Sequence, residues 1–526
     1  MEKRISRSNL KRRPESPYPK KQSKRGKAGN TEESLAAEKT NINDLPDELI
    51  EELFKLTNIC YPDHLPIDKA RQLRKTRTLW SICLVSKRFC RIAEPLLYSW
   101  YADYDSLTRR QFLRRVFQSP AHAARVRGMV VRLEDNIFAA HSHDRGDFAD
   151  IFAAAAEVND ILSKEKWLVD LARGRYESEA ALLLARTPNL EELKFEIDKS
   201  FGTFYGWTHR LARWIVETPS EDGHVSPLSK LTSLVMVTEG YFQMLAVQDF
   251  LGIPSLRNLE LWTPEASDED ASDWPHGISN VETLTLGPCV VGDEFIKGLM
   301  ASCKALKRFN YAIGRNLLNQ RQWKCEAIDM DRLYEALLQH RVSLESLNIE
   351  GDRSQHVLTG GFRLDCFSSL KHLTVSFASF IAMGGPRWAP LEALPGSIET
   401  LRLNCFKEHW LTLSAFLSDL VENYREEFPR LQLLELLVDD TAFHFMHDKL
   451  DFLPSRLIWA GIELRLDERP RGENFLYMQP EQSTPGTCLV ISTLMPDDLS
   501  KPRKADRGIR SWRMAFPERI DVPEQS

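Results

Sequence analysis

From residue 126 onward one pattern keeps returning: an apolar residue, two mostly polar ones, an apolar residue, one more residue, and an apolar residue. It stands at Val126/Met129/Val131, Leu190/Leu193/Phe195, Leu231/Leu234/Met236, Leu256/Leu259/Leu261 and Val281/Leu284/Leu286. It continues at Leu306/Phe309/Tyr311, Leu344/Leu347/Ile349, Leu370/Leu373/Val375, Ile398/Leu401/Leu403 and Leu431/Leu434/Leu436, with Trp459/Ile462/Leu464 as a last copy. The alternation inside each copy predicts a short strand with one buried face. Copies starting at 231, 256, 281 and 306 are 25 residues apart three times running, and the later intervals are 38, 26, 28 and 33. Between copies, apolar residues at helical spacing predict helices over 180–185, 246–251, 293–302, 331–340 and 413–427. Pro188, Pro254, Pro395 and Pro429 each precede a copy, where proline ends a helix and admits a strand at its edge.

Ahead of the repeats the pattern is helical. Leu49, Ile50, Leu53, Phe54 and Leu56 fall on one side of a helix that opens on Pro46, with Asp44 as its expected cap and Asp47 and Glu48 at its positive end. Ile82, Val85, Phe89, Ile92 and Leu96 trace an apolar seam along a second helix carrying Ser86, Lys87, Arg88 and Arg91. A helical extension follows through Phe112, Leu113, Val116 and Phe117, and further helices link it to the first regular repeat across 132–187. Two helices are too little structure to bury this much apolar surface alone, so the surplus reads as a docking face. That reading requires Leu49, Ile50, Val85 and Phe89 to be left uncovered by their own chain.

The repeat period, mostly within or near the roughly 20–29 residues of leucine-rich repeats, resembles that family, with insertions at 312–330 and 382–397. One repeat cannot bury its apolar side, so neighbours stack into a continuous core. The asparagine that many such repeats carry after the last leucine is mostly missing. The N-terminal residues carry a second resemblance. The Leu45-Pro46-Asp47-Glu48-Leu49 opening, the Leu84-Val85-Ser86-Lys87-Arg88-Phe89 centre and the Ala93-Glu94-Pro95-Leu96-Leu97-Tyr98 ending resemble an F-box of the style common in filamentous fungi. Residues 61–75 form a longer loop than usual there, and Phe89 stands where many members carry Trp.

The F-box resemblance implies docking on a Skp-family adaptor and, through it, on the cullin and RING subunits of an SCF ubiquitin ligase. Matching motif positions assign adaptor contact to Leu45, Pro46, Leu49, Ile50, Phe54, Leu84, Val85 and Phe89. The expected fold class is α/β: a small all-α F-box unit followed by a leucine-rich-repeat-like α/β solenoid. The expected segments are a disordered basic tail over 1–42, the F-box over 43–98, a helical linker with a first irregular repeat over 99–187, the solenoid over 188–470, and a cap with a loose tail over 471–526. The β-like run Cys488-Leu489-Val490-Ile491-Ser492-Thr493 is the candidate cap strand.

At 526 residues the chain has room for two to four domains. No apolar run approaches the roughly 18–20 residues of a membrane span, and the N-terminus has no apolar stretch of the secretory kind. Nine scattered cysteines without a C-x-x-C pair point to reduced thiols in the nucleus or cytoplasm. The net charge of −6 divides into +9 over residues 1–30 and −15 over the remainder. An acidic body argues against nucleic-acid binding, which needs a basic face. Lys11, Arg12 and Arg13, then Lys20, Lys21, Lys24 and Arg25, resemble a bipartite nuclear import signal. A solvated arm is the alternative.

No catalytic motif stands in the chain: no P-loop, no G-x-G-x-x-G after a strand, no H-E-x-x-H, no G-x-S-x-G. His141, His143, Asp144 and Asp147 group ligand-type residues in a polar loop, and His444 and His447 share a helix face, but neither set has a metal-site context. No catalytic residue, metal or cofactor is therefore assigned. Substrate contacts belong to the outward residues of the repeat strands, with Arg257, Glu260, Trp262, Lys307, Arg308, Lys371 and Arg402 as candidates and Trp262 as the aromatic anchor. The function implied is substrate recognition in an SCF ligase, acting on an unidentified protein. The alternatives are an F-box scaffold outside any ligase, and a leucine-rich-repeat regulator of small GTPases or chromatin.

Overall fold

The computed structural model describes residues 42–57, 69–103, 106–133, 164–172, 175–197, 206–217, 226–238, 245–262, 265–266, 274–313, 330–350, 363–377, 393–405, 410–439, 462–469 and 489–490. The chain divides into two units, Met1–Ile50 and Glu51–Ser526. The first holds a 3-10 turn, Ile42–Asp44, and the opening of helix α1 (Asp47–Thr57). The Pro46 carbonyl accepts the first helical bond, from the Ile50 N–H at 3.1 Å. Asp44, the expected cap, lies in the preceding turn instead.

The second unit continues with α2 (Lys69–Val85) and α3 (Lys87–Ser99). The expected single helix through residues 82–96 is thus two. Ser86 breaks it: its backbone is extended (φ −159°, ψ 161°), and its hydroxyl accepts the Phe89 N–H at 3.1 Å as the N-cap of α3. Because α2 begins at Lys69, part of the 61–75 stretch expected as loop is helical, while 61–68 lie outside the described residues. Phe54 of α1 meets Phe89 of α3 edge to face, with ring centroids 5.5 Å apart.

Helix α3 runs without a linker into β1 (Trp100–Ala102), so the sheet begins well before residue 188, where the solenoid is expected to start. The helices that follow are α4 (Ser106–Gln118), α5 (Pro120–Ala123), α6 (Lys164–Ala172), α7 (Tyr176–Ala185), α8 (Trp207–Glu217), α9 (Leu245–Leu251), α10 (Asp293–Ser302), α11 (Met330–Leu338) and α12 (Trp410–Glu427). The strands are β2 (Gly128–Leu133), β3 (Glu192–Ile197), β4 (Ser233–Thr238), β5 (Asn258–Trp262), β6 (Glu265–Ala266), β7 (Thr283–Val291), β8 (Arg308–Ile313), β9 (Ser346–Glu350), β10 (His372–Ser376), β11 (Thr400–Cys405), β12 (Leu433–Asp439), β13 (Glu463–Arg469) and β14 (Leu489–Val490). Every strand from β1 to β13 except β6 joins one parallel ladder in chain order, while β6 pairs with β7 at the side. Among the described strands only β14 runs antiparallel, against β13, so a strand is present near residue 488 where the cap strand is expected.

The register explains the sequence pattern. Leu234, Leu259, Leu284, Phe309, Leu347, Leu373, Leu401 and Leu434 are aligned neighbours on successive strands, and all are fully buried. A helical layer closes over that side, with residues such as Leu299, Leu337 and Leu417 joining the same core. Just before each strand, one carbonyl accepts two N–H groups of the next repeat. Thr232 serves Arg257 and Asn258, and Glu282 serves Lys307 and Arg308, at 2.8–2.9 Å.

Side chains reinforce this ladder from an unexpected position. The residue preceding the first apolar position of a copy donates back to the previous repeat: Ser255 Oγ to the Leu231 carbonyl at 2.7 Å, Ser343 Oγ to Leu306 at 2.9 Å, Ser397 Oγ to Leu370 at 2.7 Å. Asn189 and Asn280 make similar bonds through their amides, to the Ala124 and Pro254 carbonyls. Near the start of the sheet, the buried Arg109 of α4 donates to Asp103 at 2.6 Å and to Glu179 of α7 at 2.8 Å, and its guanidinium lies over the Tyr176 ring. Burial disfavours the charged form, but the two carboxylates hold the guanidinium protonated.

Candidate docking and recognition surfaces

The N-terminal helices carry two apolar faces. Ile50, Phe54 and Phe89, expected to contact an adaptor, are buried within the chain at 0 %, 5 % and 7 % exposure. Ile50 and Phe89 are therefore not left uncovered as the docking reading expects, and Phe54 packs edge to face on Phe89. Leu49, Leu84 and Val85 are uncovered as expected, at 52 %, 71 % and 67 %. Pro46 is exposed and Leu45 half-buried. The structure adds Leu53, Leu56 and Trp80, which are 43 %, 63 % and 57 % exposed. Trp80 and Leu84 lie one turn apart on α2, so the indole and the leucine share a side of that helix. Leu53 and Leu56 belong to the apolar side that the sequence already marks on α1, while Trp80 lies outside the seam read along the second helix.

On the repeat strands the outward residues stand in register where the alternation expects them. Most of the seven recognition candidates are engaged within the chain. The Arg257 guanidinium donates to the Pro254 and Leu256 carbonyls at 2.8 and 2.9 Å. Glu260 accepts the Trp262 indole N–H at 3.0 Å. The Trp262 ring itself lies across Gly287 of the neighbouring β7, where any Cβ would collide with it. Its role is therefore packing on the next repeat as much as display. Lys307 pairs with Glu282 at 2.7 Å, and Arg402 with the buried Glu435 at 2.6 Å. Arg308, exposed, and Lys371, half-exposed, make no such bond among the described residues.

Several titrating groups are displaced by burial. The Cys83 thiol is pushed up to about 11, with Cys90 beside it adding to the effect, and Cys303 up to about 12. A nucleophilic thiol needs the opposite shift. Glu177 is pushed up to about 7 by burial, against hydrogen bonds from Thr208. His209, in contact with Asp249, is pushed down to about 4 by burial, with Arg213 and Arg210 contributing. Among the described residues no group of three or more His, Cys, Asp or Glu is placed to hold a metal. The His141–Asp147 and His444/His447 sets and the basic residues 11–25 lie outside the described residues. No described helix is long and apolar enough to cross a membrane.

No curated protein matches the chain. The family model for the leucine-rich repeat domain matches residues 151–438, past the F-box-like residues. Its span takes in the strands from β3 to β12, whose in-register leucines and returning helices are what such repeats require. The chain belongs to the leucine-rich repeat domain family.

Proposed function

We propose that this chain selects a protein substrate for an SCF ubiquitin ligase, docking on a Skp-family adaptor through its N-terminal helices. The repeat domain itself suggests protein–protein interaction. The observation that carries the docking half is the uncovered apolar surface on α1 and α2, at Leu53, Leu56, Trp80, Leu84 and Val85. Large apolar side chains left in water at this density mark a surface that a second polypeptide covers. They follow directly on the F-box-like Leu45-Pro46 opening and include its Leu-Val centre. The chain contributes proximity rather than chemistry. Holding a substrate beside a charged conjugating enzyme raises its local concentration, and the transfer belongs to other subunits.

Leu84→Ala with Val85→Ala is the test, because Ile50 and Phe89 are interior and their loss unfolds the helices. The double variant weakens adaptor binding in a pull-down by about 2–4 kcal/mol, the range of a desolvated hot-spot pair. Retention of the adaptor at the parent's yield rejects the docking reading. Recovery of the cullin with the tagged chain separates a ligase subunit from a scaffold that holds the adaptor alone.

A further inference from the structure

Across β7, β8, β9 and β10, the first two outward positions of each strand hold hydroxyl, amide, imidazole and guanidinium groups and no carboxylate. Thr285, Asn310, Asn348 and Thr374 are direct neighbours in the ladder, one per strand. None of the large apolar residues exposed among the described ones lies on these strands. The row is only partly satisfied by its own members. Asn310 donates to Thr285 Oγ1 at 3.1 Å, and Asn348 donates to Glu350 at a long 3.4 Å. The Asn348 Oδ1 atom is shielded from solvent and accepts nothing. Arg308 stands exposed two residues before Asn310 on the same face, with Ser346 beside it in register.

The rim has a different electrostatic character. Lys307 is paired with Glu282 and Arg402 with Glu435, while Glu260, beside Thr285 in the ladder, and Glu350 accept neutral donors, from Trp262 and Asn348. One unengaged guanidinium on a neutral hydrogen-bonding strip is too little for a nucleic acid, which needs a run of cations. A partner helix presenting an apolar face finds nothing apolar to meet here.

We propose that this strip binds an extended segment of a partner polypeptide through its main chain, with one carboxylate of that segment on Arg308. Four strands spaced by about 4.8 Å offer a row of roughly 14 Å, the reach of about four extended residues. An extended chain loses the water on its N–H and C=O groups when it docks, and that loss is costly unless replaced. Amides and hydroxyls, each able to donate and accept, replace it without selecting side chains. The planar guanidinium then supplies the selectivity, since it engages a carboxylate through two parallel bonds. The proposal rests on the reading that the repeat face selects a protein, and it gives that protein's recognised segment a chemistry: extended, neutral, with a single acid.

The test uses the immobilised full chain and a random decapeptide pool with amidated C-termini, beside a matched pool with free C-termini. Retained peptides are enriched in a single Asp or Glu; enrichment confined to the free-terminus pool identifies the chain terminus as the carboxylate instead. Asn310→Leu with Asn348→Leu lowers retention of all peptides about tenfold, the loss of one hydrogen bond's worth of binding or slightly more. Arg308→Gln keeps retention but abolishes the preference for an acid. Asn348→Asp, close to isosteric, repels acidic peptides and guards against a variant that has merely unfolded. Peptide retention indifferent to all three variants overturns the proposal, as does retention of RNA oligonucleotides or glycans in place of peptides. Adaptor binding, measured on the same variants, stays at the parent level. Its loss in the parent chain alone would reject the docking reading and leave this one standing.

Discussion

At the scale of single residues, the buried Glu177 makes stability depend on pH. Its carboxylate sits against the start of α8, over Gly206, where a Cβ would collide with it, and it takes hydrogen bonds from Thr208. Burial outweighs these bonds and the nearby Arg210, while Asp170 adds repulsion, so the pKa rises from 4.5 to about 7. A carboxyl whose folded-state pKa is raised contributes stability that is full below its unfolded value and is lost as pH climbs through the folded one. The contribution therefore disappears between about pH 4.5 and pH 7. Glu177→Gln removes the titrating proton and keeps the shape. Its melting temperature relative to the parent is near level at pH 4.5 and gains steadily toward pH 8. The comparison between the two proteins is the readout, because His209 and His340 shift the other way and act in both. A difference that stays constant with pH shows that the carboxyl is solvated and ionised throughout.

At the scale of elements, the repeats were legible and their stitching was not. The strands follow from alternation, because a leucine every second residue has one side to hide and a parallel neighbour hides it. Leu284, Leu347 and Leu401 stand in the interior positions that this pattern assigns them. Helix α10 coincides with the stretch 293–302 that helical spacing marks out. The N-terminal helices were harder to read, because a residue seam cannot say which of two apolar faces turns inward. Phe54 and Leu53 are adjacent and equally greasy, yet one is interior and the other open. Ser86 divides the second helix by a cap that competes with helix continuation, a choice that apolar periodicity does not record.

The repeat serines were missed for a related reason. The asparagine sought after the last leucine has its counterpart before the first one, where serine is too common in loops to attract notice. Ser255, Ser343 and Ser397 each donate to a carbonyl of the preceding repeat. Replacing any one by alanine costs about 1 kcal/mol of unfolding free energy, and more where the carbonyl is left dry. The three sites lie on separate repeats, so the triple variant loses close to the sum. Chemical denaturation of the four proteins measures this. A triple variant no weaker than the singles would show that water serves these carbonyls as well as serine does.

For the whole molecule, a sheet that grows by adding parallel strands has the same problem at each end: the last strand offers unpaired N–H and C=O groups to any other chain. At the beginning, β1 continues directly from α3, and the buried Arg109 with its two carboxylates ties that end to α7. At the far end, β13 is followed by β14, which reverses direction and pairs Leu489 with Leu466 and Val490 with Arg465. An antiparallel strand does not extend the repeat, so it acts as a stop. Repeat arrays need terminal segments of this kind because an open repeat edge and its apolar side invite stacking. A chain truncated after residue 470 keeps β1 to β13 and loses the stop. It self-associates in sedimentation experiments at concentrations where the full chain does not, and the amides of β13 lose hydrogen-exchange protection before those of β11. Adding two lysines on the open edge of the truncated chain restores the monomer, since charge on an edge strand blocks pairing without supplying a partner. If the truncated chain stays monomeric with β13 protected, β14 is a passenger and the end of the array is closed by the side chains of β13 alone.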